Sequence, residues 1–93
     1  MFTWNKDKNK LLKQTRNISF EEIAELLESR DSIVDVVPNS THPGESMAIL
    51  KVPGRYNLYI VPFVNLNNGD VLLKTIYPSR KHTREYKGGS NDE

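Results

Sequence analysis

The second half of the chain contains apolar segments of strand length joined by turn sequences, and this pattern restricts the possible folds most. Four segments rich in β-branched and aromatic residues are predicted strands, at residues 33–37, 47–52, 56–64 and 71–77. Pro53-Gly54 predicts a type II turn, and Asn67-Asn68-Gly69-Asp70 predicts a type I′ hairpin. Pro62, inside the third strand, marks a bulge or an edge position. Parallel neighbours would need a long crossover, so these connections predict a four-stranded antiparallel meander.

Two helices are predicted ahead of the strands. Asn5 is a suitable N-cap for a helix over about 6–16, which Asn17 can end in the left-handed conformation. Ser19-Phe20-Glu21-Glu22 forms a capping box at the start of a second helix over about 20–29. Apolar residues recur in that helix at i, i+3, i+4 and i+7, namely Phe20, Ile23, Ala24 and Leu27. The two helices are expected to cover one face of the sheet in an α+β fold, and the other face is expected to stay open.

The length of the chain, 93 residues, predicts one small domain over residues 1–87, followed by a mobile tail at residues 88–93. The chain contains no cysteine, so no disulfide can form, and a reducing cytoplasm is the expected location. No apolar run is long enough for a signal peptide or a membrane-spanning helix, so no membrane partner is expected.

Charges of opposite sign are concentrated in different parts of the chain, although the net charge is only +1. Residues 17–50 contain seven acidic side chains against one cation, whereas residues 51–87 contain seven cations against two acidic side chains. Such a division can produce one face for a polyanion and another for a basic partner. The cationic excess is too small for tight non-specific binding to duplex DNA.

A polar segment follows the last predicted strand and carries the strongest functional signal. If it forms a short helix from Ser79, then Arg80, Arg84 and Lys87 lie at i, i+4 and i+7 and share one face. Arginine offers a planar fork of donors that matches the paired oxygens of a phosphate. The segment therefore favours a nucleic-acid or phosphoryl ligand.

Motifs near both ends resemble one toxin family. Trp4-Asn5-x-x-Lys8, a basic helix and Ile18-Ser19-Phe20-Glu21-Glu22 resemble the opening of BrnT-type toxins. Pro78-Ser79-Arg80-Lys81-His82-Thr83 after an apolar strand resembles that family's closing Ile-Ser-Ala-Arg-Lys-Ala-Thr signature. The resemblance covers residues 2–24 and 73–86. It implies a RelE/ParE-like fold, the toxin role in a type II toxin–antitoxin pair, metal-independent cleavage of RNA, and a cognate antitoxin of ribbon-helix-helix type.

The resemblance and the charge pattern together give two sets of candidate residues. Arg80 matches the family arginine and is expected to bind phosphate. His82 can act as acid or base, since histidine changes charge near neutral pH. Glu85 and Tyr86 are candidates for base and positioning roles, which completes a catalytic set of Arg80, His82, Glu85 and Tyr86. The RNA-binding set is a cationic groove of Lys8, Lys13, Arg16, Lys51, Lys74, Lys81 and Arg84. The two histidines are far apart in sequence, so no metal site is predicted, and no cofactor is expected.

Each candidate also has a structural interpretation. Arg80 can pair with Glu85, Lys8 can extend its stem along the core edge, and Arg16 can bind terminal carbonyls of the first helix. Tyr56 and Tyr59 are expected to be core or cross-strand aromatics. Two other functions stay open, a non-catalytic toxin-fold module that binds RNA or a protein, and a toxin directed at a protein such as a gyrase.

Overall fold

The computed structural model describes residues 1–87, in which a mixed six-stranded sheet carries three helices. The predicted tail at residues 88–93 lies outside the described residues. The elements follow one another as β1 (Phe2–Thr3), α1 (Lys6–Arg16), α2 (Phe20–Ser29), β2 (Ile33–Pro38), β3 (Ser46–Leu50), β4 (Leu58–Asn65), β5 (Val71–Leu73), β6 (Tyr77–Ser79) and α3 (Arg80–Lys87). The fold is α+β as predicted, but the sheet differs from a four-stranded antiparallel meander.

Both N-terminal helices begin and end where the sequence predicts. The side-chain oxygen of Asn5 accepts a hydrogen bond of 2.9 Å from the backbone N–H of Lys8. The Ser19 hydroxyl accepts one of 3.1 Å from the N–H of Glu22. Asn17 ends α1 with a left-handed φ of 54°. These caps satisfy backbone groups that have no partner inside the helix, which is why the boundaries could be predicted from local sequence.

The strands lie in the order β1-β5-β4-β3-β2, and β6 pairs with the first half of β4. β2 pairs with β3, β3 with β4, and β4 with both β5 and β6, and these four pairs are antiparallel, as predicted. By contrast, β1 pairs with β5 in parallel. The prediction of four antiparallel strands is therefore wrong at this edge. Only Phe2 and Thr3 form β1, and two residues are too few to show an alternating pattern.

The predicted fourth strand is divided into β5 and β6 by a bulge. Phe63 pairs with Leu73 and Ile60 pairs with Tyr77, so two residues of β4 lie opposite the three residues 74–76. Pro62, one of the two, has no N–H to donate, and its carbonyl accepts from the N–H of Lys74 at 2.8 Å. The bulge or edge position expected at Pro62 is not found in its own strand, which pairs with β3 without interruption. The extra residue lies in the opposite segment, between β5 and β6.

The two predicted turns have different outcomes. Gly54 has a φ of 82°, and the N–H of Arg55 bonds the carbonyl of Val52 at 3.0 Å, which confirms a type II turn. In the later turn Gly69 has a φ of 93°, but neither preceding asparagine has a positive φ. A type I′ turn needs two such residues, so that prediction is wrong.

The helices α1 and α2 cover one face of the sheet. Four buried apolar side chains from α1, α2 and the link between them pack on the sheet. They are Leu12, Ile18, Phe20 and Ile23, and they share one cluster with Ala48, Leu50, Val61 and Leu73 of the strands. Trp4 stacks on Phe20 with 5.7 Å between ring centroids. This cluster is the main core, and burial of its apolar surface is the largest stabilising contribution.

The opposite face carries a smaller apolar cluster of Ile49, Leu58 and Ile60. The helix α3 lies at one end of this face, where the Thr83 hydroxyl accepts a hydrogen bond of 2.7 Å from the N–H of Leu58. The face predicted to stay open is therefore partly covered by α3.

A buried asparagine joins the first two helices. The side-chain oxygen of Asn9 accepts from the N–H of Phe20 at 2.8 Å, and its amide donates to the Glu21 carboxylate at 2.8 Å. The bond from Asn9 is the main reason that the pKa of Glu21 lies below its usual value, and nearby Lys13 adds to the effect.

The longest of the helices that the structure describes has 11 residues, and none of them is long and apolar enough to cross a bilayer.

Candidate nucleic-acid interface

The helix α3 is fixed by hydrogen bonds at its start and its middle. The Ser79 hydroxyl accepts from the N–H of His82 at 3.2 Å, which is the geometry of an N-cap. The Thr83 hydroxyl donates to the Ser79 carbonyl at 2.6 Å while it accepts from Leu58. The cationic side chains of α3 are thus presented on a helix that is attached to β4.

One side of α3 forms a groove of about 400 Å³, here called the arginine groove. It is lined by Tyr56, Asn57, Arg80, Thr83 and Arg84. Within residues 1–87 the two guanidinium groups form no hydrogen bond and no ion pair, so Arg80 does not pair with Glu85. Both remain able to bind an anion through paired donors.

A second cavity, the tyrosine pocket, lies between the C-terminal end of α3 and the loop that joins β3 to β4. It has a volume of about 380 Å³, and Lys51, Tyr56, Asn57, Tyr86 and Lys87 are among its lining residues. The Lys51 amine lies 3.4 Å from the Tyr86 hydroxyl, and the Lys87 amine lies 4.0 Å from the centre of the Tyr56 ring. This pocket interleaves cations with aromatic rings.

The other side of α3 forms the histidine pocket, of about 190 Å³. His82, Glu85 and Tyr86 line it from the helix, opposite sheet residues that include Asp35 and Leu58. The Nδ1 atom of His82 lies 2.8 Å from the Ser79 hydroxyl, which orients the ring. Nε2 forms no hydrogen bond within residues 1–87, so this nitrogen is available for a hydrogen bond to a ligand.

The three cavities adjoin one another around α3. Tyr56 and Asn57 line both the arginine groove and the tyrosine pocket. Leu58 and Tyr86 line both the tyrosine pocket and the histidine pocket. We call the continuous surface made by these three cavities the α3 surface. An α-helix with its side chains is only about 10–12 Å across, so a short single strand can reach both sides of it.

The α3 surface brings together six of the candidate residues, which are Lys51, Arg80, His82, Arg84, Glu85 and Tyr86. Lys81, also on α3, is exposed. The expected convergence of all cations in one groove is not found, because Arg80 shares no cavity with Lys8, Lys51 or Lys74 among the described residues.

Lys8 and Lys74 line a separate groove with His42, Thr75 and Tyr77, here called the lysine groove. Lys8 reaches it from α1, whereas Lys74 lies in the bulge after β5. The sequence predicted that Lys8 and Lys74 belong to one cationic groove, and these two lysines do line the same groove. None of the described residues that line this groove belongs to α3.

Two further candidates have structural contacts. Lys13 forms an exposed ion pair with Glu21, with 3.6 Å between amine and carboxylate. Arg16 donates to the carbonyl of Ile76 at 2.5 Å, which joins the end of α1 to the residue before β6. The sequence offered the α1 terminal carbonyls as the alternative partner for Arg16. The backbone carbonyls of Arg16 and Asn17, at the end of α1, instead accept hydrogen bonds from the Arg55 guanidinium.

The α3 surface also contains residues that were in neither candidate set, among them Tyr56 and Asn57. Lys87, which helical spacing had grouped with the two arginines of α3, lines the tyrosine pocket and not the arginine groove. Tyr56 was expected to be a core or cross-strand aromatic residue, but β4 begins at Leu58 and Tyr56 lies exposed in the loop before it. The Pro53-Gly54 turn signalled this loop, and an aromatic residue directly after a turn is a weak indication of exposure.

Within residues 1–87 no group of three or more His, Cys, Asp or Glu side chains is arranged to hold a metal ion. Comparison with protein-family models, curated proteins and solved structures finds no match to this chain. The functional argument therefore depends on the geometry around α3 and on the motifs of the sequence.

Proposed function

We propose that this chain is the toxin of a type II toxin–antitoxin pair, with a RelE/ParE-like fold, that cleaves RNA in the cytoplasm without a metal ion. The observation that carries the proposal is the α3 surface, where three adjoining cavities hold Arg80, Arg84, Lys51, His82 and Tyr86. The order of two helices, antiparallel strands and a terminal basic helix also agrees with what the resemblance implies.

Phosphate binding is assigned to the two arginines. Arg80 and Arg84 lie one helical turn apart, line the same groove and have no partner within residues 1–87. An unpaired guanidinium group needs to break no existing bond before it binds a phosphate. Lys51, at the far side of the tyrosine pocket, supplies a further cation for the next part of the strand.

Proton transfer is assigned to the histidine pocket. In metal-independent cleavage the 2′-oxygen loses a proton and attacks phosphorus, while the bond to the 5′-oxygen breaks and that oxygen gains a proton. His82 and Glu85 line the same pocket and offer one proton acceptor and one donor. Arg80 or Lys51 would stabilise the charge that develops on the phosphate oxygens.

The proposed antitoxin, of ribbon-helix-helix type, would block the α3 surface and cover the remaining apolar part of the second sheet face. That face includes partly buried Val34, Val37 and Met47 beside the smaller cluster.

The test is growth arrest and RNA cleavage by matched variants. Arg80→Ala is expected to abolish growth arrest on expression and to stop cleavage of single-stranded RNA, while the variant stays folded by circular dichroism. Lys10→Ala, which removes an exposed cation of α1, is the control and should behave as the unaltered chain. A folded Arg80→Ala protein that is equally toxic would refute the assignment.

A non-catalytic RNA-binding module is the second candidate. It is favoured because Arg80 and His82 line cavities on different sides of α3, so the groups for phosphate binding and proton transfer do not share one cavity. Incubation of the purified chain with single-stranded RNA separates the two candidates. Stable retention of intact RNA supports the binding module, whereas products with a cyclic phosphate end support the nuclease.

A further inference from the structure

The tyrosine pocket contains two exposed aromatic rings that no core contact explains. Tyr56 is 72% exposed and Tyr86 is 49% exposed. We propose that this pocket is a subsite for one unpaired nucleobase of an RNA strand, which stacks on Tyr56 while Tyr86 lines the opposite wall. The inference rests on the proposed function, because it names the part of the substrate that the α3 surface holds between its phosphate contacts.

The ring of Tyr56 is held in place without being buried. The Lys87 amine lies 4.0 Å from the ring centre and also donates to the Tyr56 carbonyl at 2.7 Å. Two contacts from one amine restrict the ring on one face. Because most of the side chain is accessible, the remaining face is available for stacking, and a fixed aromatic ring loses little entropy when a base binds.

Tyr86 is positioned in a similar way from the opposite side. The Lys51 amine lies 3.4 Å from its hydroxyl and 5.6 Å from its ring centre. Tyr86 projects from α3, whereas Tyr56 projects from the loop before β4. The two rings therefore line one cavity from separate elements.

The charge and size of the pocket suit a nucleotide. Its described lining residues include Lys51, Arg55 and Lys87 but no carboxylate. Arg55 is engaged with the backbone carbonyls of Arg16 and Asn17 and with the Tyr59 hydroxyl, so the positive charge for a phosphate is assigned to Lys51. The volume of about 380 Å³ is within the range of ligand sites in proteins.

Asn57 provides a group that can read the edge of the base. It lines both the tyrosine pocket and the arginine groove, and its side-chain amide has no hydrogen-bond partner within residues 1–87. An amide offers a donor and an acceptor side by side, which is the pattern that pairs with the edge of adenine. The base would then lie directly beside phosphates bound by Arg80 and Arg84.

The first experiment uses small probes that cannot be cleaved. Adenosine 5′-monophosphate and ribose 5-phosphate are titrated into the protein while the tyrosine ring resonances are followed by NMR. The nucleotide is expected to shift the Tyr56 and Tyr86 rings, and the base-free sugar phosphate is expected to shift them much less. Equal shifts from both probes, or none from either, would overturn the inference.

The second experiment compares variants with a single-stranded RNA that contains 2-aminopurine, whose fluorescence falls on stacking. Tyr56→Leu is expected to weaken binding about tenfold and to remove the quenching, whereas Tyr56→Phe retains both. Tyr77→Leu is the matched control, since Tyr77 is also exposed but lies outside the pocket. If Tyr56→Leu binds and quenches like the unaltered chain, the base lies elsewhere.

The two proposals fail in different ways. A chain that stacks the base through Tyr56 but leaves RNA intact refutes cleavage and retains the subsite. A chain that cleaves RNA equally well with Tyr56→Leu retains the nuclease and refutes the subsite.

Discussion

The backbone N–H of Leu58 donates a hydrogen bond of 2.7 Å to the hydroxyl of Thr83. Leu58 is the first residue of β4 and Thr83 is the only buried residue of α3, so this bond connects the sheet to the helix that carries the candidate interface. Both residues are almost completely inaccessible, so solvent cannot replace the hydroxyl if it is removed.

Thr83→Val is therefore expected to destabilise the chain by about 1–3 kcal/mol, because the N–H of Leu58 loses its partner. The valine keeps the shape of the threonine, so packing is nearly unchanged. Urea denaturation measures the change in the free energy of unfolding. Thr83→Ser retains the hydroxyl and should lose clearly less, and equal losses for the two variants would contradict this role of the hydroxyl.

The hydrogen bond from Asn9 to Glu21 predicts a specific pH dependence. The pKa of Glu21 is lowered from 4.5 in the folded chain, so its ionised form stabilises the fold above that pH, and the contribution is lost as the pH falls through the lowered pKa. The side chain introduced by Glu21→Gln does not ionise, so it makes no such pH-dependent contribution to stability. The stability gap between the two proteins in urea should be largest near neutral pH and should close in acid. A gap that stays constant with pH would show that the charge of Glu21 contributes nothing.

Arg16 is expected to affect stability more than RNA binding. Its guanidinium donates to the carbonyl of Ile76, a completely buried residue, so Arg16→Ala leaves that carbonyl without its bond. We expect a loss of about 1–3 kcal/mol in the free energy of unfolding. Lys13→Ala removes only an exposed ion pair and should change stability by less than about 1 kcal/mol. If the folded Arg16→Ala variant is fully stable but binds RNA poorly, the original assignment of Arg16 to RNA is the better one.

The arginine groove predicts how RNA binding depends on salt. Each phosphate contact to a single strand contributes about −0.7 to the slope of log K against log salt concentration. Arg84→Gln should therefore make the slope shallower by about 0.7, as measured by fluorescence anisotropy over a series of salt concentrations. Lys10→Gln, on the exposed part of α1, should leave the slope unchanged. A similar change in both variants would indicate a diffuse electrostatic effect and no specific contact.

Local signals in the sequence were sufficient for α1 and α2, because the caps at Asn5, Asn17 and Ser19 depend on neighbouring residues only. The pairing of the strands was harder to predict. The parallel pair of β1 and β5 and the bulge that divides β5 from β6 arise from tertiary pairing between distant segments. Asn67-Asn68-Gly69 was misassigned because two turn types share these residues and differ only in which of them adopts a positive φ.

For the candidate interface, the sequence named most of the titratable residues that line the cavities around α3 but not how they are distributed among those cavities. It could indicate that Arg80 and Arg84 share one helix face, since that follows from helical spacing alone. It could not separate Lys8 and Lys74 from α3, because their positions depend on how α1 packs on the sheet and on where the predicted fourth strand is divided. It also could not show that Tyr56 lies in an exposed loop, since this depends on where β4 begins.

The position of α3 after all six strands has a consequence for synthesis of the chain. The ribosome delivers the sheet and the first two helices before Arg80 and the residues that follow it. A nascent chain that has reached only β6 lacks Arg80 and Arg84, the two guanidinium groups of the arginine groove. The proposed anion site is therefore synthesised after every strand of the described sheet, including β4, to which α3 is attached through Thr83.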